Sequence, residues 1–402
     1  MSPENVILIY RSQILALSET FIREQVLAYQ RWRPILVGHE LGPLPVDDLD
    51  VRLLGPQQGG LPIRILRKLG LMRRDDITTI AQSPLRFARR HAVRQLKQEH
   101  AALLHAHFGV DAVMAWPLAK ELGLPMVVTL HGYDIRIHRE WWEQGHGGDM
   151  MRGYPAQLLA LANQQNVHFV AVSDSIRERA VQFGIPAERI WTRYIGIDTR
   201  KFAPGGLPIS KRERRVLFVG RLVEVKGCRY LIEAMARVQK SVRDALLIIL
   251  GDGPLRPELE AQARRLSVNV QFRGAQPSGE VKRELDLARV FCLPSITTAK
   301  GESEGFPTVL QEAQAAGLPV VTSASSGAHE GMEDGGTGFA FAEGDVATLA
   351  ERLTDLLTDD ELAGRVASRA PSFIAEHFDI RSCTESLELL YDDLVMGWTC
   401  GA

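Results

Sequence analysis

Short apolar runs rich in Val, Ile and Leu recur along the 402 residues, and most are followed by a stretch with helical spacing. In the first half the runs are 6–10 (VILIY), 34–38, 102–108, 125–130, 167–173 and 189–194, and helical segments such as 17–31, 110–122 and 173–184 lie between several of them. A strand that leads into a helix and then into another strand returns the chain for parallel pairing, so the alternation predicts βαβ units and mostly parallel sheets. A polar connector containing Pro and Gly, 202–215, ends this series, and a second one follows at 216–220, 245–251, 268–274, 290–295 and 319–323. The chain is longer than one core usually serves. The expectation is an α/β protein of two doubly wound, Rossmann-like domains, 1–203 and 204–379, facing across a cleft. Ligands of such sheets bind outside the carboxyl ends of the strands. From about 344 onward the pattern is helical, and a last helix at about 380–402 is expected to pack back on the first domain.

With 45% hydrophobic and 24% charged residues the chain reads as ordinary globular protein. It opens without a basic segment followed by a long apolar one, and the run 245–250 is too short to span a bilayer, so a cytoplasmic protein without a membrane span is expected. Cys228, Cys292, Cys383 and Cys400 are far apart in sequence and suggest reduced thiols. Charge is uneven. Residues 1–203 carry 25 Lys and Arg against 20 acids, whereas the remainder carries 22 against 29. The surplus is concentrated in 61–100, with ten basic residues and three acids interleaved with Leu, Ile and Phe. That stretch reads either as a solvated helix face or as a contact for anionic lipid, with Leu71, Met72, Arg73 and Arg74 the expected touching residues. No nucleic-acid reader motif accompanies it.

Two local patterns carry chemistry. In GESEGFPTVLQEAQAAGLPVV (301–321), Pro307 suits a first helical turn, and Gly317 with Pro319 suits a stop, giving a helix over roughly 307–316. Glu304 then lies in the loop before the helix and Glu312 one or two turns along it, beside the positive, amide-bearing helix end that attracts anions. In LFVGRLVEVKG (217–227), Gly220 ends a strand, Arg221 and Lys226 project from the loop and Gly227 precedes a helix. Two cations beside a helix start suit a diphosphate. The glycine spacing is that of neither a Walker loop nor a dinucleotide fingerprint. Two carboxylates alone also fit a glycosidase, which has no use for cations poised over a diphosphate.

The order GRLVEVKG, LGDGP, FRGAQP, LPSITTAKGESEGFP and EAQAAGLPVV, preceded by FIREQVLAY, HAHFG, VVTLHGYD, AVSDSIRERAVQFGIP and YIGIDTRKFAP, resembles the retaining glycosyltransferases of the GT-B fold, family 4, over nearly the whole chain. The resemblance implies a nucleotide-diphosphate sugar as donor and a glycan or polyprenyl-linked acceptor. It implies that Arg221 and Lys226, with Gly220 at their loop, hold the diphosphate. Glu312 takes the ribose hydroxyls, Glu304 faces the donor sugar, and the backbone of Gly305, Phe306, Pro307, Thr308, Val309 and Leu310 meets sugar and phosphates. The backbone around Gly274 to Gln276 meets the base, and His131 reaches the donor sugar. Catalysis is then mainly positioning and charge stabilisation, with the acceptor attacking from the leaving group's face.

The chain departs from the family where many members carry a glycine pair after the first strand. Here that place holds ALSETF (16–21), a variant similar to the branch that builds bacterial exopolysaccharides of the colanic acid and amylovoran kind. Ser18, Glu19 and Thr20 would touch phosphate or acceptor there, or simply cap a helix. Tyr133 and Asp134 of the HGYD run count as acceptor-side candidates. Trp141 and Trp142 fit either a sugar platform, a mobile lid or a core contact. Asp47, Asp48 and Asp50 read as a surface turn, and neither a metal nor a cofactor is expected.

Overall fold

A computed structural model describes residues 5–54, 86–323 and 326–401. Its contacts divide the chain into two compact units, Met1–Val172 with Ile176–Arg193 and Arg381–Ala402, and Ser173–Ser175 with Tyr194–Ile380. Residues 71 to 74, and most of the basic stretch, lie outside the described residues.

The main sheet of the first unit contains β1 (Asn5–Tyr10), β2 (Trp32–Gly38), β3 (Val51–Leu53), β4 (Leu103–His107), β5 (Met126–Leu130), β6 (Val167–Ala171) and β7 (Ile190–Thr192). They lie side by side in the order β3-β2-β1-β4-β5-β6-β7, every neighbour parallel. The order reverses between β1 and β4, and at that switch point the loops leaving the strands' carboxyl ends diverge to opposite faces. Ile7, Ile9, Leu36, Leu103, Val127 and Val170 pack one side of the sheet, together with Trp32, Ile22 and three residues of the last helix. That helix, Ile380–Gly401, is tied to the start of β2 by Glu388, whose buried Oε1 accepts the backbone N–H groups of Gln30, Arg31 and Trp32 at 3.0, 2.8 and 2.9 Å. Trp32 Nε1 also donates to Asp392 Oδ1 at 3.0 Å.

The second unit repeats the plan with β8 (Arg215–Val219), β9 (Leu246–Leu250), β10 (Val270–Phe272), β11 (Val290–Leu293), β12 (Val320–Ser323) and β13 (Gly338–Phe341), ordered β10-β9-β8-β11-β12-β13. The helix Cys228–Ser241 buries Leu231, Ile232, Met235 and Val238, a stripe with the three- and four-residue spacing that sets one helical face against a core.

Several boundaries differ from the sequence expectation. The helix expected over 17–31 spans only Thr20–Ala28, because residues 11–19 are drawn into a network of ion pairs and Leu15 takes a left-handed φ of 58°. Strands β3 and β13 carried no recognisable signal; at three and four residues they depend on the neighbour that pairs with them. Asp48 and Asp50 pair with Arg23 and Arg33 at 2.6 and 2.8 Å. Cys228 and Cys292, 64 positions apart in sequence, are both buried in the second unit, and burial raises the pKa of each thiol. Among the described residues no helix is long and apolar enough to cross a membrane.

Candidate functional site

In the second unit the residues singled out in the sequence follow the carboxyl ends of β8, β10 and β11. The order reverses between β8 and β11, so this is that unit's switch point. After Gly220, the exposed Arg221 leads into a single turn, Glu224–Lys226, and then Gly227. Gly227 has φ 61°, and a Cβ there would sit 1.8 Å from the carbonyl oxygen of Pro294, so only glycine lets the loops after β8 and β11 touch. Ile296 N donates to Val225 O at 2.9 Å and fastens the same two loops.

This closeness brings Lys226 to Glu304. Lys226 Nζ lies 2.6 Å from Glu304 Oε1, and Ser295 Oγ donates to the same oxygen at 2.7 Å. Ser323 Oγ, at the end of β12, donates to Ser295 O at 2.6 Å and steadies that hydroxyl's backbone. Both members of the pair keep some exposure, 17% and 11% of their side chains, so they are shielded yet reachable.

Beyond Glu304 the chain buries Gly305, Phe306 and Pro307 and enters the helix Thr308–Ala315. The Phe306 ring packs against Tyr194 and Phe378 at 5.1 and 5.2 Å, which fixes where the helix begins. Thr308 and Val309 are half-buried in its first turn, and Glu312 is half-buried in the next. The expectation for Leu310 needs correction: its side chain is fully buried and its N–H already donates to Pro307 O at 3.0 Å. Pro307 has no N–H, so amide donors for a ligand in this turn come from Gly305, Phe306, Thr308 and Val309. Gly274, with φ 71°, follows β10, its carbonyl accepting Gly251 N at 2.8 Å, while Gln276 is exposed and its Nε2 donates to Arg273 O at 2.6 Å. Gln314, fully buried, anchors the helix by donating to Gly331 O at 2.7 Å.

The first unit assembles a different cluster. Arg11, just past β1, forms ion pairs with Glu19 and Asp111, and its guanidinium stacks over the Phe108 ring at 4.5 Å. Asp111 also accepts Ser12 N at 3.0 Å and Ser12 Oγ at 2.8 Å, and Glu19 accepts Ala16 N at 3.0 Å. Glu19 is therefore committed to holding this loop, not offered to an acceptor, and it makes no side-chain cap at the helix it precedes. Ser18 and Thr20 are exposed beside it. Burial pushes the Asp111 carboxyl up, and the Arg11 charge and the Ser12 hydrogen bonds oppose that shift.

His131 follows β5 directly. Its Nε2 meets His107 Nδ1 at 3.0 Å, and its ring contacts Phe108 and Phe21 at 4.4 and 5.0 Å between centroids. Burial, reinforced by the Arg11 charge, holds its pKa well below the usual histidine range, so the ring is neutral. Asp134 is a folding residue: fully buried, it accepts Gly109 N, Gly132 N and His131 N at 2.8, 2.9 and 3.2 Å. Trp142 is 4% exposed, edge-on to Trp141 and Tyr154, and so belongs to the core; Trp141 is half-buried and Tyr133 is 40% exposed. The acceptor-side expectation thus does not hold for Asp134 and Trp142 in the form given, since neither presents a surface to a ligand.

The comparisons with known proteins bear on this geometry. A family model described as Glycosyltransferase Family 4 matches residues 47–201, and one described as Glycosyl transferases group 1 matches residues 199–373. The amylovoran biosynthesis glycosyltransferase AmsK of Erwinia amylovora is 34% identical over 298 residues, 72% of this chain and 70% of the relative. The chain belongs to glycosyltransferase family 4. A protein of Escherichia coli named for colanic acid biosynthesis, WcaL, is 32% identical over 296 residues, 72% of this chain and 70% of its own. Among solved structures, Anabaena HepE in complex with UDP and glucose superposes with a TM-score of 0.77 at 20% identity, covering 97% of this chain and all of that one. Sucrose-phosphate synthase of Thermosynechococcus elongatus gives 0.74 at 18%, covering 98% and 100%. The fold class of this glycosyltransferase is GT-B.

Arg11, Asp111, Ser295, Gln314, His105 and His107 did not stand out in the sequence. Arg11 had one available signal, since it follows the first strand of its unit much as Arg221 follows the first strand of the other.

Proposed function

We propose that this glycosyltransferase moves a sugar, with retention of anomeric configuration, from a nucleotide-diphosphate donor to a glycan or lipid-linked acceptor in exopolysaccharide assembly. The observation that carries the reading is the Lys226–Glu304 pair, 2.6 Å apart at the second unit's switch point, beside the exposed Arg221 and the start of the Thr308–Ala315 helix. Glu304 holds the ammonium in place before a donor arrives, so less side-chain freedom is lost on binding. Arg221 and Lys226 then neutralise the diphosphate as the sugar departs, aided by the amides of the helix start. We assign Glu312 to the ribose hydroxyls, the backbone around Gly274 and Gln276 to the base, and His131 to the sugar. The names of the amylovoran and colanic acid relatives support an exopolysaccharide product, and the UDP and glucose bound by HepE support the donor class. We assign the reaction to the cytoplasm, where a lipid-linked acceptor would be met at the inner face of the membrane.

A nucleotide screen followed by product analysis tests this reading. One of UDP, GDP, ADP or dTDP at 100 times its dissociation constant should stabilise the protein by about 2.7 kcal/mol. The matching α-linked donor should yield an α-linked product by NMR. Transfer should persist in EDTA, because protein cations supply the positive charge. Absence of stabilisation by every nucleotide, or an inverted product, overturns it.

A further inference from the structure

Glu304 is held from two sides, and both holds fall on one oxygen. Lys226 Nζ and Ser295 Oγ reach Oε1 at 2.6 and 2.7 Å. Oε2 makes no hydrogen bond or ion pair among the described residues, yet it is not one of their sealed, unpartnered polar atoms, so solvent reaches it. The carboxylate therefore has a committed edge and an open one.

The partners differ in what a ligand can do to them. Lys226 keeps 17% of its side chain exposed, and an ammonium carries three N–H donors that rotate freely among acceptors. An arriving diphosphate bears more negative charge than a carboxylate, so it draws on that ammonium and weakens the hold on Glu304. Ser295 is uncharged and 3% exposed, which leaves its hydroxyl out of a phosphate's reach. Its backbone is fixed on both sides. Thr322 Oγ1 donates to Leu293 O at 2.8 Å and Ser323 Oγ to Ser295 O at 2.6 Å, both from β12. Ile296 N donates to Val225 O at 2.9 Å, and Glu343, just past β13, accepts Thr297 N and Thr297 Oγ1, each at 2.9 Å. A donor placed in advance by its surroundings orients an ionised acceptor with little loss of side-chain freedom.

We propose that Ser295 is a positioning residue whose hydroxyl keeps Glu304 in place through Oε1 when a donor's phosphate draws on Lys226, leaving Oε2 open toward the ligand. Ser295 itself touches neither sugar nor phosphate. The inference rests on the reading of this site given above, with Lys226 at the diphosphate, and every residue in it belongs to the second unit.

The test measures release of nucleoside diphosphate by the full chain from UDP-, GDP-, ADP- and dTDP-linked glucose, galactose and mannose. With the donor that the parent turns over, Ser295→Ala should lower kcat about tenfold while the donor KM stays within about twofold. Ser295→Thr, which keeps a hydroxyl on the same carbon, should recover most of the loss. In a Glu304→Ala background, Ser295→Ala should change kcat by less than about twofold, because no carboxylate remains to be positioned. A folded Ser295→Ala variant with parental kcat overturns the proposal, as does a loss carried by KM instead of kcat. So does an equal loss in both backgrounds, the mark of a merely structural role, or a folded Ser295→Thr variant as impaired as Ser295→Ala. Where Ser295→Ala does not fold, Ser323→Ala takes its place in the two backgrounds, with a smaller loss expected and the same outcomes overturning the proposal. A parent protein that turns over none of these donors counts instead against the function proposed above, and the positioning role falls with it.

Discussion

The two units share a strand order and each sets an arginine just past its first strand, at its switch point, but they use it differently. Arg11 is 11% exposed and ion-paired to Glu19 and Asp111. Arg221 is exposed, and no ion pair to it occurs among the described residues. One arginine closes a loop, while the other stays available to an anion. Lys226, in the same loop as Arg221, does pair, and with a carboxylate that itself keeps solvent access. The lesson is that a switch-point arginine is a ligand group only where the protein has not already supplied its carboxylates. It also explains how this chain manages without a glycine pair after β1: the loop is held by charge and by Ser12 and Ala16 amides.

The largest expected effect that can break this comparison is on stability. Arg11→Met should destabilise the fold by about 3–5 kcal/mol, the cost of leaving buried charges without their partner. Arg221→Met should stay within about 0.5 kcal/mol, as exposed substitutions do. Urea denaturation of both variants measures the difference, and equal losses would erase the distinction. The pH dependence sharpens it. Burial raises the Asp111 carboxyl above its unfolded value, so the folded state binds that proton more readily and the stability contributed by the protonated form is lost as pH rises through the folded pKa. With Arg11 gone the opposing charge is absent, so Arg11→Met should be less impaired at pH 5 than at pH 8.

Next in size are effects on donor binding. Arg221→Ala and Lys226→Ala should each weaken it by about 1.5–3 kcal/mol, roughly 10- to 150-fold, by calorimetric titration with the nucleotide identified in the screen. Glu304→Gln should lower kcat more than it raises the donor KM, because the ion pair with Lys226 is lost while a hydrogen-bond acceptor for Ser295 Oγ remains. An unchanged kcat would remove Glu304 from the reaction. The smallest effect lies in the first unit. Tyr391→Phe deletes the hydroxyl linking Tyr29 to His105 and should cost about 1–2 kcal/mol in urea denaturation, with nucleotide binding intact.

Much of the second unit's candidate site was legible because its parts are local. Gly220, Arg221, Lys226 and Gly227 fall within eight residues, and Glu304 to Glu312 within nine, so loop and helix signals were enough to place them. That Lys226 and Glu304 would meet was not legible. Their contact depends on the loops after β8 and β11 lying side by side, which a parallel sheet decides and Gly227 permits. The roles of Glu19, Asp134 and Trp142 were not legible for a related reason: a polar or aromatic residue near a motif looks the same in sequence whether it faces a ligand or the interior.

The sequence by itself determined the alternation of strand and helix, its repetition on either side of the 202–215 connector, and the cations and carboxylates that follow particular strands, because hydrophobic period and turn chemistry act over a few residues. Tertiary structure alone decided which of those charges remain available. Arg11 finds Asp111 a hundred positions away, Tyr29 finds Tyr391 more than three hundred and sixty away, and β3 and β13 exist only through the neighbours that accept their hydrogen bonds. Contacts of that range depend on where the whole chain returns, and no local pattern contains that information.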